Sequence, residues 1–414
     1  MAATTATATA TAPATATTAI MNRVPVIDLQ SDDRSSIIES IAAACSEYGF
    51  FQVVGHGIDA QLVADFRANC KKYFDLDARP SDNNNNNKSQ WKRSASNARG
   101  FFDDELTKQR RDHKQALDVG VPGSRDWTMA DDDIANACLD GYNQFPNDDN
   151  ETKGFRSTVV RYFQACADLS HAIAVLMAAG VVGCSEAAAA TLPVVEELRN
   201  RHTSYLRMNY YPPFDAETGD PSTLGVSPHR DAGFLTVLLQ DDDCHSLQVE
   251  KSNGKWLSVV PVAGAFTINT GDMAQIWSNG RYRSPLHRVL TAKGRRYSAP
   301  FFYNPGYASR IEPVLVPPTL AGDDDDDDGN NHNDDDDDDG NTQAEQRRYH
   351  ACLWGYFRAV RFAGDLTDIG TEIQVEDFEC KNRSAHVVKQ EAFAELARFD
   401  EPFDVERFRD LLSN

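Results

Sequence analysis

The chain has 414 residues, 41% of them hydrophobic, enough for one large catalytic domain or two average ones around a substantial core. Its formal charge is −22, but twelve negative charges are two aspartate runs, 323–328 and 334–339, and without them the balance is −10. A body that acidic argues against a nucleic-acid partner, and the lack of any unbroken 18-residue apolar run argues against a membrane partner.

Eight cysteines are scattered without C-x-x-C spacing, and Cys45, Cys166 and Cys184 fall in apolar stretches. That pattern suits free thiols in a reducing compartment. The first 22 residues are low-complexity Ala and Thr, without the basic and Leu-rich parts of a signal peptide. They read as a disordered tail, and the expected location is cytoplasmic.

In chain order, residues 24–29 (VPVIDL) read as a short strand. Ile37, Ile41, Cys45 and Tyr48 follow at helical spacing and turn one apolar stripe toward a core. Residues 49–54 (GFFQVV) are strand-like and end in the turn Gly55-His56-Gly57. A helix is expected over 62–74, then an Asn-rich loop near 80–96. A long helix over 152–179 carries Phe155, Val159, Tyr162, Cys166, Leu169, Ile173 and Leu176 on one face. Between residues 203 and 303 the period changes to strands: SYLRMNYY, FLTVLLQ, LQVE, WLSVV, AFTIN, AQIW, HRVL and YSAPFFY. Short strands between Gly, Pro, Asn and Asp turns predict a mainly β protein with flanking helices, built on a barrel or jelly roll. The aspartate segment, 322–346, has too few apolar side chains to offset the entropy of ordering and reads as a disordered insert. Residues 347–414 are expected to form a helical segment packed on the outside.

Three residues carry the chemistry. His229 and Asp231 sit two apart in SPHRDAGFLTVLLQ, read as the start of a strand, where i and i+2 share a face. His287 opens HRVLT and can supply a third group. Two imidazoles and one carboxylate on one side of a metal leave other positions open, the arrangement of non-haem Fe(II) oxygenases. Taken singly, each histidine is more simply a hydrogen-bonded structural residue; its companions change that. Arg296 and Ser298 form R-x-S on the next strand, and guanidinium plus hydroxyl is what a buried carboxylate requires. Upstream, Asn209 and Tyr211 in MNYYPP alternate inward, and Tyr210 points the other way.

In that order, NYYPP, H-x-D followed by GFLTVLLQDD, LQV, and HRVLTAKGRRYSAPFFYNP resemble the 2-oxoglutarate and Fe(II)-dependent dioxygenases of the isopenicillin N synthase-like class. That class includes plant gibberellin and flavonoid oxidases. VPVIDL and EYGFFQVVGHGI resemble its N-terminal region, so residues 23–198 are expected to be that region, mostly helical, and 199–312 the catalytic core. The resemblance implies a double-stranded β-helix with iron in its mouth, ligated by His229, Asp231 and His287. It implies that Arg296 and Ser298, with Tyr211, bind the distal carboxylate of 2-oxoglutarate, and that Asn209 lies near its chelating end. The implied reaction hydroxylates or desaturates a small organic molecule with Fe(II), 2-oxoglutarate and O₂, releasing succinate and CO₂.

Two features depart from the family pattern. Arg230 stands inside H-x-D and is expected to point away from the metal, and His245 is expected on a surface turn. Phe101, Phe102, Trp354, Phe357 and Arg358 are candidates for gripping the substrate, or core packing. Two alternatives stay open: a same-fold Fe(II) oxidase that does not use 2-oxoglutarate, and a non-catalytic small-molecule-binding relative. Sequence leaves the organic substrate and the oligomeric state unread.

Overall fold

The computed structural model describes residues 23–76, 88–94, 97–107, 110–121, 141–148, 152–200, 202–215, 217, 219–316, 346–366, 372–397 and 408–412. The Ala/Thr tail, the Asn83 to Asn87 run and the aspartate runs lie outside them.

Strand β1 (Val26–Asp28) leads into α1 (Arg34–Glu47), where Asp33 caps the first turn by accepting from Ser36 N–H at 3.0 Å. Strand β2 (Phe50–Val54), α2 (Ala60–Asp75), β3 (Gly100–Phe102), β4 (Gln115–Gly120) and α3 (Phe155–Val182) follow. The apolar stripes expected on α1 and α3 are buried, and α3 ends at Gly183, whose φ of +71° is the left-handed cap that favours glycine. Beyond them come β5 (Tyr205–Tyr211), β6 (Leu224–His229), β7 (Leu235–Gln240), β8 (Leu247–Glu250), β9 (Trp256–Ser258) and β10 (Phe266–Thr270). Then come α4 (Asp272–Trp277), β11 (His287–Leu290), β12 (Arg296–Tyr303), α5 (Trp354–Leu366) and α6 (Ala385–Leu396).

These strands form two facing sheets. One has eight strands in the order β1-β2-β10-β7-β12-β5-β4-β3; the other has four, β9-β8-β11-β6. Alternation along each strand divides the interior in two. On β12, Ala299, Phe301 and Tyr303 face the helices, while Arg296, Ser298, Pro300 and Phe302 face a cavity between the sheets. On β5, Leu206 and Met208 face the helices, and Arg207, Asn209 and Tyr211 face the cavity. The main core is thus helices on the large sheet, and a smaller one, including Phe50, Leu238, Leu247 and Val289, lies between the sheets. The jelly-roll expectation holds.

Three expectations are corrected. AQIW lies in helix α4, because Gly271 and Asp272 start a turn of helix directly after β10. H-x-D is not the start of a strand: His229 ends β6 and Asp231 lies in the loop before β7. The region before residue 199, expected to be mostly helical with strands at 24–29 and 49–54, holds two further strands: β1 and β2 complete one side of the large sheet, and β3 and β4, which were not expected, the other. By length and composition α3 is apolar enough to cross a bilayer, although it holds no unbroken 18-residue apolar run. Its most apolar window is 67% buried in this protein, as the central helix of the core. Every cysteine among the described residues is free.

Candidate active site

The ladder between β11 and β6 pairs His287 directly with His229, and their ring centroids lie 4.3 Å apart. Asp231, just past β6, places Oδ1 3.6 Å from Nε2 of each histidine. All three ligand atoms lie within 4.8 Å of one another, the one such group among the described residues. The loop can fold this tightly because Gly271 packs on it: a Cβ there would stand 2.2 Å from Gly233 O and 2.8 Å from Asp231 O.

Backbone carbonyls set both imidazole tautomers. Nδ1 of His229 lies 2.8 Å from Ser227 O, and Nδ1 of His287 lies 3.1 Å from Pro285 O. A carbonyl only accepts, so each Nδ1 carries a proton and each Nε2 faces Asp231. Asp231 Oδ2 accepts from Thr236 Oγ1 at 2.6 Å and Asn269 Nδ2 at 2.8 Å, which leaves Oδ1 for a metal. Burial, reinforced by His287, pushes the His229 pKa down to about 3, so it is neutral at pH 7. Burial alone would raise the Asp231 carboxyl, but the imidazoles and the Thr236 and Asn269 donors outweigh it and hold it below the usual range. Two imidazole nitrogens and one carboxylate oxygen, with no thiolate, suit ferrous iron.

The cavity, about 530 Å³ with its open mouth, joins this group to Arg296. Register places Arg296 opposite Tyr211 and Ser298 opposite Asn209. The Arg296 guanidinium is 1% exposed and lies 4.5 Å above the Tyr211 ring, with Nη1 3.5 Å from Ser298 Oγ. No carboxylate among the described residues pairs with it, and its Nε is buried without a partner. Asn209 Nδ2 reaches Ser298 Oγ at 3.4 Å, while its Oδ1 is likewise unpartnered. A buried cation left unpaired is costly unless a ligand supplies the charge. The residues therefore fit a dicarboxylate lying between metal and guanidinium.

Across the cavity, Lys114 and Arg207 have ample partners. Lys114 Nζ donates to Glu105 Oε2 at 2.6 Å and Asp112 Oδ2 at 2.9 Å. Arg207 grips Asp118 with two bonds of 2.8 Å, and its Nη1 lies 2.9 and 3.0 Å from the Glu105 oxygens.

All seven residues expected at the site, His229, Asp231, His287, Arg296, Ser298, Tyr211 and Asn209, line this one cavity. Arg230 turns away, to Ser284 O and Glu376, and His245 is exposed. His56 holds a turn, accepting from Ile58 N–H and meeting Gly264 O at 3.0 Å. Phe101, Phe102, Trp354 and Phe357 are buried and do not line the cavity, and Arg358 lies over Tyr205 and Phe362; Phe302, Lys114 and Arg207 form the wall instead. Thr236, Asn269 and Lys114 went unread. Thr236 and Asn269 have a signal in retrospect, as polar side chains inside the apolar strands FLTVLLQ and AFTIN.

Residues 202–305 match the model of the 2OG-Fe(II) oxygenase superfamily, and 24–148 that of the non-haem dioxygenase N-terminal region. The chain belongs to the 2OG-Fe(II) oxygenase superfamily, and it is an Fe(II)- and 2-oxoglutarate-dependent dioxygenase. Among curated proteins it is 32% identical to the 2-oxoglutarate-dependent dioxygenase caaD of Aspergillus niger, over 68% of this chain and 84% of that one. It is 30% identical to a homoarginine-6-hydroxylase of Arabidopsis thaliana, over 70% and 87%. Among solved structures, JOX2 in complex with 2OG, Fe and JA is 28% identical and matches with a TM-score of 0.56, over 70% of this chain and 78% of that one. Neurospora crassa T7H with alpha-KG and thymine shares the fold, with a TM-score of 0.63 at 21% identity, over 82% and 96%.

Proposed function

We propose that His229, Asp231 and His287 hold the ferrous ion, and that Arg296 and Ser298, with Tyr211, bind the distal carboxylate of 2-oxoglutarate. Asn209 then lies beside the chelating end. The reaction is hydroxylation or desaturation of a small organic molecule, with release of succinate and CO₂. One observation carries this reading: the buried guanidinium of Arg296, with no carboxylate of its own, opens into the same cavity as the three convergent ligands. The named relatives support it, since homoarginine-6-hydroxylase acts on a small molecule and JOX2 is seen with JA.

Bound ferrous iron, with 2-oxoglutarate and O₂, supplies the oxidising power to break an unactivated C–H bond. The protein's own residues do the rest. Ser227 and Pro285 carbonyls hold both Nδ1–H groups and so turn both Nε2 atoms toward the metal-binding position, and Thr236 and Asn269 aim the Asp231 carboxylate. Arg296 fixes the co-substrate's far end, so its keto acid end meets the metal in one orientation. Phe50, Leu238, Leu247 and Val289 exclude water from the reacting face.

The deciding experiment measures O₂ uptake and succinate together, with Fe(II) and 2-oxoglutarate, across a small-molecule panel. Equal amounts of both, dependent on iron, are expected. O₂ uptake without succinate would indicate the oxidase alternative, and no iron-dependent turnover the non-catalytic one.

A further inference from the structure

Lys114 has no part in the roles assigned above. Its side chain is only 5% exposed, yet it lines the same cavity as the metal-binding group. Glu105 and Asp112 take two of its three N–H bonds, and the third has no partner among the described residues. The cage around it is fixed from several sides. Asp112 also accepts from Ser227 N–H at 3.1 Å and Thr107 Oγ1 at 2.7 Å, and Glu105 is clasped by Arg207. Ser227 is the residue whose carbonyl orients His229, so the cage is tied to the metal-binding strand.

We infer that Lys114 is a substrate-positioning residue, whose free N–H takes a neutral acceptor oxygen of the organic substrate: a carbonyl, amide or hydroxyl, not a carboxylate. This rests on the assignment of iron and 2-oxoglutarate proposed above. Charge decides between the two kinds of acceptor. Arg93, Lys114 and Arg207 already face Glu105, Asp112 and Asp118, three cations to three carboxylates. A third carboxylate on this ammonium would lie close to two like charges, in a buried setting where repulsion is poorly screened. A neutral oxygen accepts the same N–H without that cost. The surrounding wall of Val226, Pro300 and Phe302 suits an apolar body behind the acceptor.

The test uses the full chain loaded with Fe(II) and 2-oxoglutarate. Scaffold pairs are offered as carboxylate and as primary amide, such as phenylacetate with phenylacetamide and cyclohexanecarboxylate with cyclohexanecarboxamide. Amide members should stimulate succinate release. In Lys114→Met the KM for the stimulating amide should rise about tenfold or more, as expected for one lost buried hydrogen bond, while the KM for 2-oxoglutarate stays within about twofold. Because that variant strands Glu105 and Asp112, Lys114→Arg, which keeps the cage charged, is measured beside it and should also raise the amide KM. Stimulation confined to carboxylates, no stimulation by any neutral member, or an unchanged amide KM in both variants overturns the inference. A raised 2-oxoglutarate KM instead would place Lys114 at the co-substrate. If the wild type shows no iron-dependent succinate at all, the dioxygenase assignment has failed, not the role of Lys114.

Discussion

Two arginines on neighbouring strands face one cavity in opposite conditions. Arg207 is held by four contacts to Asp118 and Glu105, all between 2.8 and 3.0 Å. Among the described residues, Arg296 meets only the Tyr211 ring and one distant hydroxyl. The side-chain type is the same, and the arginine without a counter-charge is the more buried of the two, 1% exposed against 12% for the Arg207 side chain, so partnership rather than burial makes the difference. A buried cation with its counter-charge built in is architecture, whereas one without it awaits a ligand that brings the charge.

The largest effect tests the frame around both. Asp231→Ala removes the only charge among the three convergent ligands, and iron-dependent 2-oxoglutarate turnover should fall to background in a succinate assay. Near-normal activity in that variant would refute the metal assignment. The arginines should then part company. Arg207→Met strands Asp118 and Glu105 and should cost about 3–5 kcal/mol of stability in denaturant unfolding. Arg296→Met strands nothing and should leave stability close to the wild type. Its KM for 2-oxoglutarate should instead rise roughly a hundredfold, the equivalent of about 3 kcal/mol for a lost buried charge pair. If both variants lose stability alike, the comparison collapses. A ligand experiment sharpens it: 2-oxoglutarate at a hundred times its Kd should stabilise the iron-loaded wild type by about 2.7 kcal/mol. The same concentration should do almost nothing for Arg296→Met. The smallest effect belongs to Thr236→Val, which takes one donor from Asp231 Oδ2 and should weaken Fe(II) binding by about tenfold, read by metal titration.

Most of the site was legible because its side chains recur at period two. R-x-S on β12 and N-x-Y on β5 alternate inward wherever the strand lies, so their common face followed from spacing alone. Helix faces were legible for the same reason, with Ile37, Ile41 and Cys45 buried as the spacing required. What escaped depends on the third dimension. The tautomers of His229 and His287 are set by backbone carbonyls, which any residue provides. The strand AQIW became a helix because its apolar run is too short for periodicity to separate the two. The cage at Lys114 joins residues 105, 112 and 114 to Arg207 across the sheet, and no sequence spacing announces such a pairing. The strands β3 and β4 were missed because their region was expected to be mostly helical.

Anaerobic calorimetry of 2-oxoglutarate binding, with and without Fe(II), in the wild type and Arg296→Met, tests most directly whether one cavity holds metal and co-substrate together. Iron should tighten binding to the wild type, and Arg296→Met should weaken it roughly a hundredfold while iron still binds. Affinity indifferent to both the iron and the arginine would contradict the shared site.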